Sequence, residues 1–168
     1  RDLNPTIKVN EVEDFALPEN VQELIPKDGR LVVDACDSIS AKAAVIAHCK
    51  RFKIPVITIG GAGGQTDPRQ VTTGDLAKTI QCPLSAKLRS ELRRQYHFSK
   101  NPKRRFGVEC VYSTEQLKYP QPDGSVCTTK SLQEGSTRLD CASGFGASVA
   151  VTATFGFVAV SRVLEKIR

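Results

Sequence analysis

Leu31-Val32-Val33-Asp34-Ala35-Cys36-Asp37-Ser38 decides how the rest of the chain is read. Leu31-Val32-Val33 is the short apolar run expected of a strand covered on both faces of a parallel sheet. Two carboxylates follow, and Ser38 or Ser40 stands where a helix N-cap is expected. The helix predicted behind it reaches about Phe52, with Ala44, Val45, Ala47 and His48 along it. Ile54 to Ile59 is another β-branched run, closed by Gly60-Gly61-Ala62-Gly63-Gly64. Upstream, Ile7 and Val9 alternate with Lys8 and Asn10, which predicts a strand over Thr6 to Val12. A short helix is predicted over Pro18 to Ile25, and Lys27-Asp28-Gly29 turns the chain toward Leu31. Strand, helix, strand, helix, strand is the order of an α/β sheet with right-handed crossovers.

Downstream the rhythm changes. The sequence predicts a strand over Arg69 to Thr73 and a helix over Leu84 to Tyr96 with Leu84, Leu88, Leu92 and Tyr96 in one stripe. A basic loop over Phe98 to Phe106, a strand over Gly107 to Ser113 and a Pro-rich loop over Tyr119 to Gly124 follow. A long apolar helix, expected to be buried, closes the chain from Gly144 to about Ile167. Ala142 to Val160 holds no charge, but it is mostly Gly, Ala, Ser and Thr. Its Val and Phe residues supply only about −0.3 to −0.6 kcal/mol each toward membrane insertion. Close packing against a sheet explains that composition better than a membrane span.

With 168 residues, 40% apolar and 25% charged, the chain has the size and balance of one globular domain. Disordered, collagen-like and coiled-coil classes are excluded. Six cysteines are too few for a disulfide-stapled miniprotein and are read as reduced thiols of a cytoplasmic protein. The chain opens with Arg1 and contains no Met, so it is expected to be part of a longer protein.

Asp34 and Asp37 lie just beyond a predicted strand, at the edge where α/β sheets bind ligands. A carboxylate there can hold Mg²⁺, which keeps most of its waters and bridges to nucleotide phosphates. On spacing alone, either carboxylate could instead cap the following helix.

Leu3-Asn4-Pro5, Asp34-Ala35-Cys36-Asp37-Ser38 and Ile54-Pro55-Val56 resemble the second half of the adenylating domain shared by MoeB, ThiF and the ubiquitin-activating enzymes. Lys53-Ile54-Pro55 with Gly60 to Gln65, Asp75-Leu76-Ala77-Lys78-Thr79, Val126-Cys127, Asp140-Cys141-Ala142 and Thr152 to Phe157 are similar to its tRNA threonylcarbamoyladenosine dehydratase branch. The resemblance spans nearly the whole chain. It implies a partial Rossmann-like adenylating domain over residues 1–168, with a basic helix–loop insertion. It also implies an enzyme that uses ATP and Mg²⁺ to adenylate a threonine carboxylate on tRNA, whose side chain then closes a ring. Asp37 is the expected catalytic and Mg-facing residue, with Asp34, Asp37 and Ser38 as cofactor-binding residues.

In this family a Gly-rich phosphate loop, an acidic ribose ligand and phosphate-binding Arg and Lys normally precede the Leu3-Asn4-Pro5 equivalent. The amino-terminal nucleotide-binding half is therefore expected to be absent, and the chain alone is expected not to turn over ATP. Gly60 to Gly64 lacks the Gly-Lys-Ser/Thr ending of a P-loop and reads as a permissive turn. A homodimer and a cysteine-desulfurase or sulfur-acceptor system are the further partners that the resemblance implies. An alternative is an adenylating partner of a ubiquitin-like sulfur-carrier protein.

No C-x-x-C pair occurs among Cys36, Cys49, Cys82, Cys110, Cys127 and Cys141, and His48 and His97 complete no zinc pattern, so no zinc is expected. Cys110, Cys127 and Cys141 read as buried thiols, with sulfur handling as the alternative. Finally, Lys87, Arg89, Arg93, Arg94, Lys100, Lys103, Arg104 and Arg105 face a single anion, Glu91, across one window. The window nets +7 in a chain of +6, so the basic excess is local. A helix with leucines inward and arginines outward, continued by a basic loop, suits a phosphate backbone. A merely solvated face is the plainer reading.

Overall fold

A computed structural model describes residues 4–120, 125–128 and 146–168. Its centre is a four-stranded sheet of β1 (Val32–Asp34), β2 (Val56–Ile59), β3 (Val71–Asp75) and β4 (Glu109–Ser113), in the order β1-β2-β4-β3. β1, β2 and β4 run parallel, and β3 lies antiparallel on β4. Short helix α1 (Val21–Leu24) precedes β1, α2 (Ile39–Phe52) joins β1 to β2, and α3 (Pro83–Gln95) lies between β3 and β4. A separate antiparallel pair, β5 (Tyr119–Pro120) with β6 (Val126–Cys127), precedes the closing helix α4 (Val149–Ile167).

Side-chain alternation along the strands builds three layers. Val56 and Cys110 join Ala43, Ala44, Ile46, Cys49, Leu88 and Leu92 in the core beneath α2 and α3. Ile57 and Val111, one residue on, turn to the opposite face and pack with Val151, Phe155 and Ala159 of α4. The leucine stripe of α3 is thus the inward face its spacing predicts. α2 starts at Ser38, whose Oγ accepts the N–H of Ala41 at 3.4 Å. α3 starts with Pro83 behind Cys82, whose Sγ accepts the N–H of Ser85.

Several predicted elements differ. The strand expected from Arg69 begins at Val71 after a 3-10 turn over Pro68–Gln70, and Tyr119–Pro120, expected in a loop, pairs as β5. Thr6 to Val12 forms no strand and lies exposed, because no strand among the described residues offers it a ladder partner. The helix predicted over Pro18 to Ile25 contracts to Val21–Leu24. α4 buries one face only, and Phe157 on the other is 77% exposed, with Val149, Val160, Leu164 and Ile167 also exposed. The start predicted at Gly144 and the Asp140-Cys141-Ala142 segment lie outside the described residues. Among the described residues no helix is long and apolar enough to cross a membrane.

Candidate active site

Because β1, β2 and β4 are parallel, the segments leaving them emerge at one edge of the sheet. These are the acidic loop 35–38, the glycine turn 60–64 with its continuation to Asp67, and residues 114–118. Register settles the first of them. Asp34 and Thr58 are partners on adjacent strands, so their side chains share a face, and that face lies beneath α2. Thr58 Oγ1 donates to Asp34 Oδ2 at 2.6 Å, and Lys42 Nζ of α2 reaches the same oxygen at 2.9 Å. The Cys36 N–H donates to Asp34 Oδ1 at 3.1 Å. Lys42 also donates to the carbonyl of Ile59, the last residue of β2, at 2.9 Å.

The Asp34 side chain, expected to be cofactor-binding, is 0% exposed and lies beneath the loop. Both of its oxygens accept from protein donors there. Asp37, by contrast, is exposed and enters no hydrogen bond or ion pair among the described residues. Ser38 supplies the cap of α2, so neither carboxylate does so, and its hydroxyl lies 3.1 Å from that of Ser40.

The glycine turn is tied down at both ends. A Cβ on Gly60 would stand 3.1 Å from Cys82 Sγ and 3.2 Å from the Val111 carbonyl oxygen, so a side chain there would force its neighbours to give by a few tenths of an ångström. The Gly61 N–H donates to Cys82 Sγ at 3.3 Å. At the far end Glu115 accepts from the amides of Thr66 and Asp67 at 2.7 and 2.8 Å and pairs with Lys118 at 2.7 Å. Gln65 is buried and donates to the carbonyls of Gln81 and Glu115. Lys42, Thr58, Glu115 and Lys118 escaped the sequence reading. Lys42 left a signal: a lone charge inside Ala41-Lys42-Ala43-Ala44-Val45-Ile46, a run destined for burial.

Three of the thiols are poor nucleophiles near neutral pH. Burial pushes Cys110 up to about 12 and Cys49 to about 11, so both stay protonated near neutral pH. Burial, then the Asp34 charge, also raises Cys36, which is exposed beside Asp37. Cys127 is partly exposed, and Cys141 lies outside the described residues. Among the described residues no group of three or more His, Cys, Asp or Glu is placed to hold a metal ion. His48 is buried against Phe52, with ring centroids 4.8 Å apart, as expected of a packed histidine.

The basic window divides. Arg89 is half-buried and donates to the Thr79 carbonyl at 3.1 Å and to the Thr79 hydroxyl, so it is engaged within the protein, unlike the exposed cations of the window. Arg93, Arg94 and Lys100, with Ser90, His97, Phe98 and Ser99, line an open hollow of about 840 Å³. Lys87 lies next to Ile39 and Arg94 in a neighbouring hollow, closer to the acidic loop. Lys103, Arg104 and Arg105 are exposed, and Arg105 faces a different hollow beside Asp75, Glu109 and Lys166. Asp75 fixes the basic loop by accepting the amides of Phe106 and Gly107 at 2.9 and 2.7 Å. Phe106 is buried edge-on to Phe98, which favours packing over base stacking for that ring.

The ThiF family profile matches residues 1–168. The chain belongs to the ThiF family. The ThiF-family chain is 55% identical over 166 residues to the tRNA threonylcarbamoyladenosine dehydratase of Escherichia coli, covering 99% of itself and 62% of that protein. It is 52% identical to the dehydratase of the same name from Haemophilus influenzae, covering 98% of itself and 60% of the relative. The solved structure described as TcdA (CsdL) superposes with a TM-score of 0.85 at 51% identity, over 99% of this chain and 60% of that one. The E. coli dehydratase in complex with ATP gives 0.80 at 48% identity, covering 99% of this chain and 59% of that one. The chain thus spans about three-fifths of the relatives it matches.

Proposed function

We propose that the protein to which this chain belongs is a tRNA threonylcarbamoyladenosine dehydratase that activates a carboxylate with ATP. The observation that carries the reading is Asp37, an unengaged carboxylate on a loop held from below at the carboxyl edge of a parallel sheet. The names of the relatives and the ATP complex of one of them support it. In this reading the chain is the carboxyl-terminal part of the adenylating domain, and residues from the remainder of the protein complete the nucleotide site.

The donor set suits Mg²⁺, which takes one or two carboxylates and fills its shell with water and phosphate oxygens. Asp37 is the residue that would hold it, and when bound the ion neutralises charge on the phosphates. Ser38 anchors the start of α2, and Asp34 holds the loop instead of binding the nucleotide. In the reaction, an oxygen of the threonine carboxylate bonds to the α-phosphorus of ATP and pyrophosphate leaves. An internal nucleophile of the same modified side chain then attacks the acyl carbon, AMP leaves and the ring closes. No protein thiol is required, in keeping with the protonated state of Cys110.

The tRNA backbone is assigned to the exposed cations Lys87, Arg94, Lys100, Lys103, Arg104 and Arg105, whereas Arg93 is half-buried, donates to the Ser99 carbonyl at 3.2 Å and lies over the Phe106 ring. The apolar outer face of α4, centred on Phe157, is consistent with a homodimer. A sulfur-transfer partner rests on the resemblance alone. The test uses the full-length protein with ATP, Mg²⁺ and tRNA bearing threonylcarbamoyladenosine, and reads AMP release and loss of one water from the nucleoside by mass spectrometry. Asp37→Ala is expected to abolish both, and undiminished turnover removes the assignment. ATP–pyrophosphate exchange driven by a small carrier protein in place of tRNA would favour the carrier-protein alternative. The isolated 168-residue chain is expected to consume no ATP.

A further inference from the structure

Burying a charged pair is costly. Desolvation takes several kcal/mol from each ion, and a well-packed apolar pair in the same space is often equally stable. Yet the Lys42 and Asp34 side chains are 1% and 0% exposed, 2.9 Å apart, directly beneath the proposed site. Stability alone is a weak reason for such a pair. Its connections offer a better one. Lys42 comes from the first turns of α2 and holds both Asp34 and the carbonyl of Ile59, where β2 gives way to the glycine turn. Through its other oxygen Asp34 holds the Cys36 amide, one residue before Asp37. Thr58 fixes the carboxylate from the adjacent strand. One strut therefore joins α2, the acidic loop and the root of the glycine turn. These are the pieces whose relative placement determines where the Asp37 carboxylate stands.

We propose that Lys42 and Asp34 are positioning residues for the reaction, setting Asp37 against the glycine turn through the Cys36 amide and the Ile59 carbonyl. The proposal rests on the dehydratase reading for its activity measurements and is independent of it for its structural one. A displacement of about 1 Å in such a group costs up to about a hundredfold in rate.

The experiment uses the full-length protein and separates stability from placement. Lys42→Met alone strands a buried carboxylate and is expected to lower the thermal midpoint and turnover together. Asp34→Asn with Lys42→Met removes both charges and is expected to restore the midpoint. It leaves kcat reduced about ten- to a hundredfold, with KM for the modified tRNA unchanged. Hydrogen exchange should quicken in peptides covering residues 35–38 and stay unchanged in α4. Thr58→Val, which removes one donor to Asp34 and keeps the fold, is expected to give a smaller loss of kcat and a smaller rise in the same exchange. Recovery of midpoint, kcat and protection of 35–38 in the double variant would overturn the proposal, as would wild-type kcat and exchange in Thr58→Val. If the wild-type protein does not turn over modified tRNA, the functional reading fails, and exchange at 35–38 still decides whether the strut holds the loop.

Discussion

The carboxylate of Glu115 accepts the backbone N–H of Thr66 at 2.7 Å, tying the segment after β4 to the chain leaving the glycine turn. It adds the Asp67 amide and the Lys118 ammonium, while the Lys118 N–H donates to the Gly64 carbonyl at 2.9 Å. The turn is held by side chain and backbone from one short segment.

Glu115 should therefore carry an acid-sensitive part of the stability. Burial opposes its charged form, but Lys118 and the amides of Asp67 and Thr66 outweigh burial and hold the carboxyl below its ordinary value. A depressed folded-state pKa stabilises above the unfolded value, and that contribution is lost as pH falls through the folded one. Wild-type thermal midpoints should decline below about pH 4.5. Glu115→Gln should lower stability near neutrality by roughly 1–3 kcal/mol and flatten that acid limb, as read by thermal scans across pH.

Gly60 is expected to reject even one methyl group. Its Cβ would meet Cys82 Sγ at 3.1 Å, the Val111 carbonyl oxygen at 3.2 Å and Tyr112 Cβ at 3.3 Å, the last two in the central strand β4. Gly60→Ala should cost about 1–3 kcal/mol in denaturant unfolding. Gly146→Ala, with nothing within 4 Å of its Cβ, serves as the comparison.

Two kinds of arginine should separate by assay. Arg89→Ala removes donors from Thr79 and should lower the thermal midpoint with little change in the salt dependence of tRNA binding. Arg94→Glu with Lys100→Glu lies on the open surface and should weaken binding while the midpoint stays near wild type. If the six exposed cations meet phosphate, the log–log salt slope reaches about −4 to −5. Filter binding at several salt concentrations reads the slope.

Cys36 should react before Cys49, Cys82 and Cys110. It is exposed, whereas Cys49, Cys82 and Cys110 are buried. Burial and the Asp34 charge raise its pKa, so alkylation near pH 7.5 should run slower than that of an unperturbed cysteine. Asp34→Asn should accelerate it. Peptide mapping after timed exposure to iodoacetamide measures both.

Much of this was legible in the chain itself. Leu31 to Val33 and Ile54 to Ile59 announced strands by their length and branching, and the α3 leucine stripe named its inward side. But β1 forms the sheet edge over Val32–Asp34 and leaves Val33 45% exposed where cover on both faces was expected. Asp34 and Asp37 were correctly located together, but periodicity could not say that one faces inward and the other stands free. Thr6 to Val12 shows the limit from the other side. Its alternation is genuine, yet strand formation needs a hydrogen-bonding neighbour that no local pattern supplies.

Local sequence determined the order of helices and strands, the capping serine, the glycine turn and the concentration of positive charge, because propensity and periodicity act over a few residues. Tertiary structure alone decided that Asp34 meets Lys42 and Thr58, that Arg89 serves Thr79, and that Glu115 closes the turn. Those partners are brought together by strand register and helix packing, which depend on contacts between segments far apart in the chain.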